Sequence, residues 1–281
     1  MILNACDFSA PPGGGDLKAL DAFYKGLYKA NVRCVGRYLW HDVYPNGKGI
    51  SSDERKIALD NGIGIWYNYE GYSNNWRGGS GQGKTDGSLA HQYAATVGAP
   101  DVPVYYALDQ DLVTKTDFAT GADYVFAADS SEHEGRAYGE FDAMEYIKRP
   151  GFQTYAWSGV VGHVSQYTAV YQWHNGQYIA GGQVDYGQVT NAATLGAEWP
   201  NGKGPEVAEV TNEQLGTAIA DLKADLIHMQ RAVVSLLSSG HAMEPTIFDK
   251  THHPAAVNIL GETRQNTRDI LAAVKALEAK K

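Results

Sequence analysis

The feature that most constrains this chain is a repeated alternation of short apolar runs with segments of helical spacing. The runs are Ile2–Phe8, Val32–Leu39, Gly62–Tyr69, Val102–Leu108, Arg136–Phe141, Phe152–Trp157, Ala169–Trp173 and a weaker one around Val184. Helix-like segments separate the early ones, at Leu17–Ala30, Ser52–Asn61, Ser88–Val97 and Phe118–Ser130. A strand followed by a helix brings the chain back to the same edge of a sheet, so repetition builds parallel strands covered by helices. Eight runs predict an α/β fold, a closed (β/α)8 TIM-like barrel, irregular in its second half where the helical segments thin out. A doubly wound open sheet is the alternative.

The pattern stops at Trp199-Pro200-Asn201-Gly202-Lys203-Gly204-Pro205, whose prolines and glycines suit a connector. Three parts follow: a barrel over residues 1–199, a linker over 200–206 and a helical region over 207–281. In the last, Leu215, Ile219, Leu222, Leu226, Met229, Val233 and Leu236 alternate spacings of four and three, the seam of a coiled coil. Self-association through that seam, with a trimer favoured, is one expectation. A helical hairpin folded onto the barrel is the other.

Composition removes several function classes. A net charge of −9 disfavours nucleic acid, whose phosphates are bound by Lys and Arg. No apolar stretch is long enough to span a bilayer, and the N-terminus lacks the basic start and apolar core of a signal peptide. Cys6 and Cys34 lie in apolar runs and read as buried thiols. No Cys or His spacing suits a metal, so neither metal nor cofactor is expected.

In a parallel barrel, functional groups gather where strands end. Asp7 follows the first run, Glu70 the third, and Asp109 and Asp111 the fourth, while Asp185 lies in the last. Carboxylates meeting at one mouth raise one another's pKa, which is what a general acid near neutral pH requires. Arg37 and Gln172 also fall near strand ends. The Gly-rich stretch Gly71–Gly87, carrying Tyr72, Trp76 and Arg77, reads as a loop long enough to cover the cleft or stack a sugar. Within it, Gly78-Gly79-Ser80-Gly81-Gln82-Gly83-Lys84-Thr85 matches the phosphate-binding pattern G-x-x-x-x-G-K-[ST]. A nucleotide-binding loop would need that helix to open directly from a strand, and Glu70 to Arg77 intervene.

Taken in order, Asp7-Phe8-Ser9, Gly36-Arg37-Tyr38-Leu39, Tyr69-Glu70, Val104 to Asp111, Gln153-Thr154-Tyr155-Ala156-Trp157-Ser158, Tyr171-Gln172-Trp173 and Val184-Asp185-Tyr186 resemble the glycoside-hydrolase-like domain of unknown function 1906. That family occurs in actinobacteria and their phages and is similar to the family 25 lysozymes, which cut peptidoglycan. The resemblance spans about residues 1–195. It implies a barrel that hydrolyses or binds a cell-wall glycan, with Asp7, Glu70, Asp109, Asp111 and Asp185 as catalytic candidates. Arg37, Tyr72, Trp76, Tyr155, Trp157 and Gln172 are the implied substrate contacts. The lysozymes close the fourth strand with Asp-x-Glu, the Glu donating the proton. Here Asp109-Gln110-Asp111 is one methylene shorter, which makes Glu70 a rival for that role. The resemblance and the helical region together suggest a phage tail component in the virion, with other tail proteins as further partners. The alternatives are a free endolysin held in the host cytoplasm until release, or an inactive glycan-binding or structural module.

Overall fold

In the computed structural model the described residues are 3–43, 47–99, 101–129, 133–154 and 163–202. The heptad seam, most of the expected linker, Tyr155 and Trp157 lie outside them. Eight strands close into one barrel in chain order. They are β1 (Leu3–Asp7), β2 (Val32–Val43), β3 (Gly64–Tyr69), β4 (Val104–Ala107), β5 (Gly135–Gly139), β6 (Gly151–Thr154), β7 (Thr168–Ile179) and β8 (Gly182–Val189). The helices are α1 (Leu17–Lys29), α2 (Ser52–Asp60), α3 (Gly79–Val97), α4 (Lys115–Ala127), α5 (Phe141–Ile147) and the short α6 (Ala192–Leu195).

Local chemistry sets the helix starts. Asp16 caps α1 by accepting from the Lys18 N–H at 2.8 Å. Thr114 and Asp117 form a reciprocal capping box on α4. Along α1, Leu20, Phe23, Tyr24 and Leu27 recur at helical spacing and are buried against the strands.

Strands β1 to β7 run parallel, whereas β8 runs antiparallel to both β7 and β1. The cause is the two-residue turn Ala180-Gly181, with φ of 53° and 87°. Positive φ at both central residues is the turn geometry that matches strand twist and returns the chain as a hairpin. A hairpin thus takes the place of the last crossover helix, which is the irregularity expected of the second half.

Period-two alternation sorts side chains between two layers. Outward residues such as Val35, Ile65, Tyr67 and Tyr106 join the helices in the larger core. Inward residues Leu3, Ala5, Cys34, Trp66, Tyr105 and Phe152 fill the barrel. Gly36 is inward, and a Cβ there would sit 2.5 Å from the Trp66 ring, so the large indole fits only opposite a glycine.

One end of the barrel is closed. Leu195 and Ala197 pack into the interior core with Trp199 against it. The Ile65 N–H donates to the Glu198 carbonyl and the Glu198 N–H to the Ile65 carbonyl, each at 2.8 Å. The Glu198 carboxylate takes two bonds from Arg55 and one from the Tyr67 hydroxyl at 2.6 Å. The mouth where β1 to β7 end lies at the opposite end.

The stretch Gly71–Gly87 is not an open loop. A 3-10 turn at Asn75–Gly78 leads into α3, which begins at Gly79 rather than Ser88. Gly83 and Gly87, one turn apart, face α4: a Cβ at Gly83 would lie 2.2 Å from the Tyr124 carbonyl oxygen, and one at Gly87 2.6 Å from that of Ala128. The glycines therefore bring two helix backbones together. Asp86, on the same helix, is buried and accepts from the Tyr124 hydroxyl at 2.7 Å, Asn75 Nδ2 at 3.0 Å and Gln82 Nε2 at 2.9 Å. Gly83 and Lys84 lie inside α3, preceded by a 3-10 turn and not a strand, so the phosphate-loop reading fails. Among the described residues no helix is long and apolar enough to cross a membrane.

Candidate functional site

Alternation carries the inward rows up to the mouth. Asp7 is paired in register with Gly36 on one side and Asp185 on the other. Because β8 descends, Asp185 reaches the mouth near the start of its strand while the other acids reach it at strand ends. Glu70 follows inward Trp66 and Asn68; Asp109 follows inward Tyr105 and Ala107. Tyr38 and Tyr138 complete the wall, Tyr138 stacking on Phe152 with centroids 4.4 Å apart.

These groups act on one another. Burial raises the Asp7 carboxyl well above the ordinary carboxylate range, Asp185 and Glu70 push it further, and Arg37 opposes them. Burial likewise raises the Tyr38 hydroxyl, with Asp7, Glu70 and Asp109 adding and Arg37 opposing. The Tyr138 hydroxyl is raised by burial and then by Tyr38, Asp7, Asp109 and Glu70. The mouth is thus one electrostatic unit, in which burial and the neighbouring acids disfavour the charge of Asp7. Lys48 Nζ enters it, 3.0 Å from Glu70 Oε2 and 5.0 Å above the Tyr38 ring. Asp185 Oδ1 accepts from the Gly176 N–H at 2.7 Å, which fixes the bulged part of β7. Below, both amide atoms of Asn68 and Oε1 of Gln172 are buried without a hydrogen-bond partner.

Asp111 lies slightly apart. It is exposed on the segment between β4 and α4 and acts electrostatically on Glu140, the residue that follows β5. Glu140 Oε1 also accepts from the Leu112 N–H at 2.9 Å. Burial, with Asp111 and Asp142 adding, pushes the Glu140 carboxyl up to about 7.

Of the expected substrate contacts, Gln172 is at the mouth and Tyr72 is exposed near it in sequence. Two others are elsewhere. Arg37 follows inward Gly36 and so points outward; it is fully buried, with Nε 2.5 Å and Nη2 3.1 Å from the Glu54 carboxylate and Nη1 2.5 Å from the Phe8 carbonyl. It braces the end of β1 from behind and does not meet a ligand. Trp76 is fully buried in the core between β3, α3 and α4, so it offers no stacking face. Sequence reading missed Tyr38, Lys48, Tyr138 and Glu140. Counting alternate residues from Asp7 and its neighbour Gly36 would have found Tyr38, whereas nothing local marks Lys48.

Comparison with known proteins agrees with this architecture. The family model described as Rv2525c-like, glycoside hydrolase-like domain matches residues 25–195. The Tat-secreted protein Rv2525c of Mycobacterium tuberculosis, solved in complex with L-tartrate, superposes with a TM-score of 0.57 at 17% identity, covering 69% of this chain and 98% of that one. A second crystal form of it, in complex with HEPES, gives a TM-score of 0.54 at 18% identity with the same coverage. No curated protein matches the sequence.

Proposed function

Because the chain belongs to the Rv2525c-like glycoside hydrolase-like domain family, we propose that its barrel mouth binds a cell-wall glycan and hydrolyses it. One observation carries this reading: four acids from β1, β8 and the ends of β3 and β4 converge on the open end, where burial and its neighbours raise the Asp7 carboxyl above the ordinary carboxylate range. Glycoside hydrolysis needs two carboxyl groups in different protonation states on either side of the scissile bond. Asp7 is the proton donor to the leaving oxygen. Glu70 and Asp109 are the carboxylates that stabilise the cationic sugar or activate water. Tyr38 and Tyr138 exclude solvent and offer hydroxyls to the ring substituents.

A second reading, recognition without hydrolysis, is favoured by Asp111. At the position where the similar lysozymes carry their proton donor, this chain holds a shorter aspartate whose charge acts on Glu140. The heptad spacing of Leu215 to Leu236 further supports mounting the barrel as a homo-oligomer, a trimer first, on a larger assembly such as a phage tail. A free endolysin is the alternative without mounting.

Mass spectrometry of fragments released from purified actinobacterial peptidoglycan tests the reading, comparing the wild type with Asp7→Asn, Glu70→Gln and Asp111→Asn. New reducing ends that vanish with Asp7→Asn support hydrolysis with Asp7 as the acid. Loss with Asp111→Asn alone would move that role to Asp111. No release with retained wall binding would leave recognition.

A further inference from the structure

Lys48 is not accounted for by that chemistry. It sits on the segment that follows β2 and folds back along it: the Ile50 N–H donates to the Tyr38 carbonyl at 2.9 Å, and Gly49 bridges Tyr38 and Val43. A Cβ at Gly49 would lie 2.5 Å from the Trp40 carbonyl oxygen, so the segment lies flat against β2 and delivers Lys48 to the mouth. The ammonium rests over the faces of Tyr38 and Trp40, at 5.0 and 5.6 Å. Both it and Glu70 keep about a fifth of their side-chain surface exposed, 23% and 20%. Among the described residues, Lys48 is the cation that an ion pair joins to a mouth carboxylate. Arg37 is spent on Glu54 on the opposite face of β2, and Arg77 is tied to Gln110 and Asp117.

An ammonium carries three donors, and Glu70 takes one. A cation kept partly open to solvent beside a carboxylate accepts a second anion more readily than it surrenders the first. We propose that Lys48 is the specificity group of the mouth and takes the carboxylate of an acidic sugar unit, setting such a glycan apart from a neutral one. This rests on the glycan reading above. Asp109 and Asp185 oppose an anionic ligand, and among the described residues the lysine places a favourable point for its charge beside Glu70. The carboxylate could belong to an O-lactyl substituent or to a uronic acid ring, and both present the same group to the ammonium.

Binding of matched ligands to the full chain at fixed ionic strength tests this by calorimetry. The probes are the disaccharide of N-acetylglucosamine and N-acetylmuramic acid, the same disaccharide with its carboxyl converted to an amide, and a disaccharide ending in glucuronic acid. The wild type is expected to bind at least one acidic probe about tenfold more tightly than the amide, as for one added charge-assisted contact. Lys48→Gln should narrow that ratio to within about twofold, and Lys48→Arg should keep most of it. Which acidic probe is preferred distinguishes the lactyl from the ring carboxylate. A wild-type ratio near one, or an unchanged ratio in a Lys48→Gln chain with wild-type thermal unfolding, overturns the assignment of Lys48 alone. Failure of the wild type to bind any of the three overturns the glycan reading together with it.

Discussion

At the scale of single residues, Asp7 is held where its charge is least welcome. A carboxyl raised in the folded state binds more protons there than in the unfolded chain. Its effect is therefore neutral well below the ordinary value near 4, and stability falls as the pH rises above it. Asp7→Asn removes the charge and keeps the shape. It should raise the unfolding free energy by about 1 kcal/mol at pH 8 and change it little at pH 4, while removing any glycan cleavage. Denaturant titrations at the two pH values check the first half of that statement, and fragment release checks the second. Glu140 obeys the same sign over a defined window. With its carboxyl pushed up to about 7 by burial and Asp111, stability should decline between about pH 4.5 and 7 on its account. Glu140→Gln, which can still accept from the Leu112 N–H, should flatten that decline. A slope unchanged by the substitution would place the proton elsewhere.

At the scale of elements, α3 separates what glycine does in two places. Gly83 faces the α4 backbone, so Gly83→Ala should destabilise by about 1–3 kcal/mol, as overpacking does. Gly81, on the same helix, has nothing within 4 Å of an added Cβ, so Gly81→Ala should stabilise by about 0.5–1 kcal/mol through helix propensity. Equal effects at both positions would contradict the observed packing. The contrast also explains the misreading of Gly71–Gly87 as a loop. Glycine count signals a turn when read locally, and its helical meaning appears only once a partner helix lies against Gly83 and Gly87. The strands were legible because apolar runs do not depend on partners: seven of the eight observed strands overlap strongly with a run visible in the sequence. Asp7, Glu70, Asp109 and Asp185 were legible for the same reason, as acids next to those runs. Arg37 was misplaced because proximity to a strand end was read without the alternation that turns it outward. Lys48 was invisible because a fold-back segment, not a strand end, delivers it.

At the scale of the whole molecule, closure of the lower end depends on a few long-range bonds. Glu198 joins Arg55 of α2 and Tyr67 of β3 from more than a hundred residues away in sequence. Glu198→Ala strands a buried tyrosine hydroxyl and a partly buried guanidinium and should cost about 2–4 kcal/mol. Thermal unfolding compared with Arg55→Ala and the double variant would show whether the two share one interaction, the double costing less than the sum. The antiparallel β8 bears on how the molecule comes into being. Asp7 lies in the first strand of the barrel, and its register partner Asp185 lies in the last. Until β8 lies down against β1, the first strand has no neighbour on that side and Asp185 is not beside Asp7. A chain lacking β8 would therefore leave the barrel open between β7 and β1 and the mouth without Asp185, so the last strand both closes the wall and completes the ring of acids.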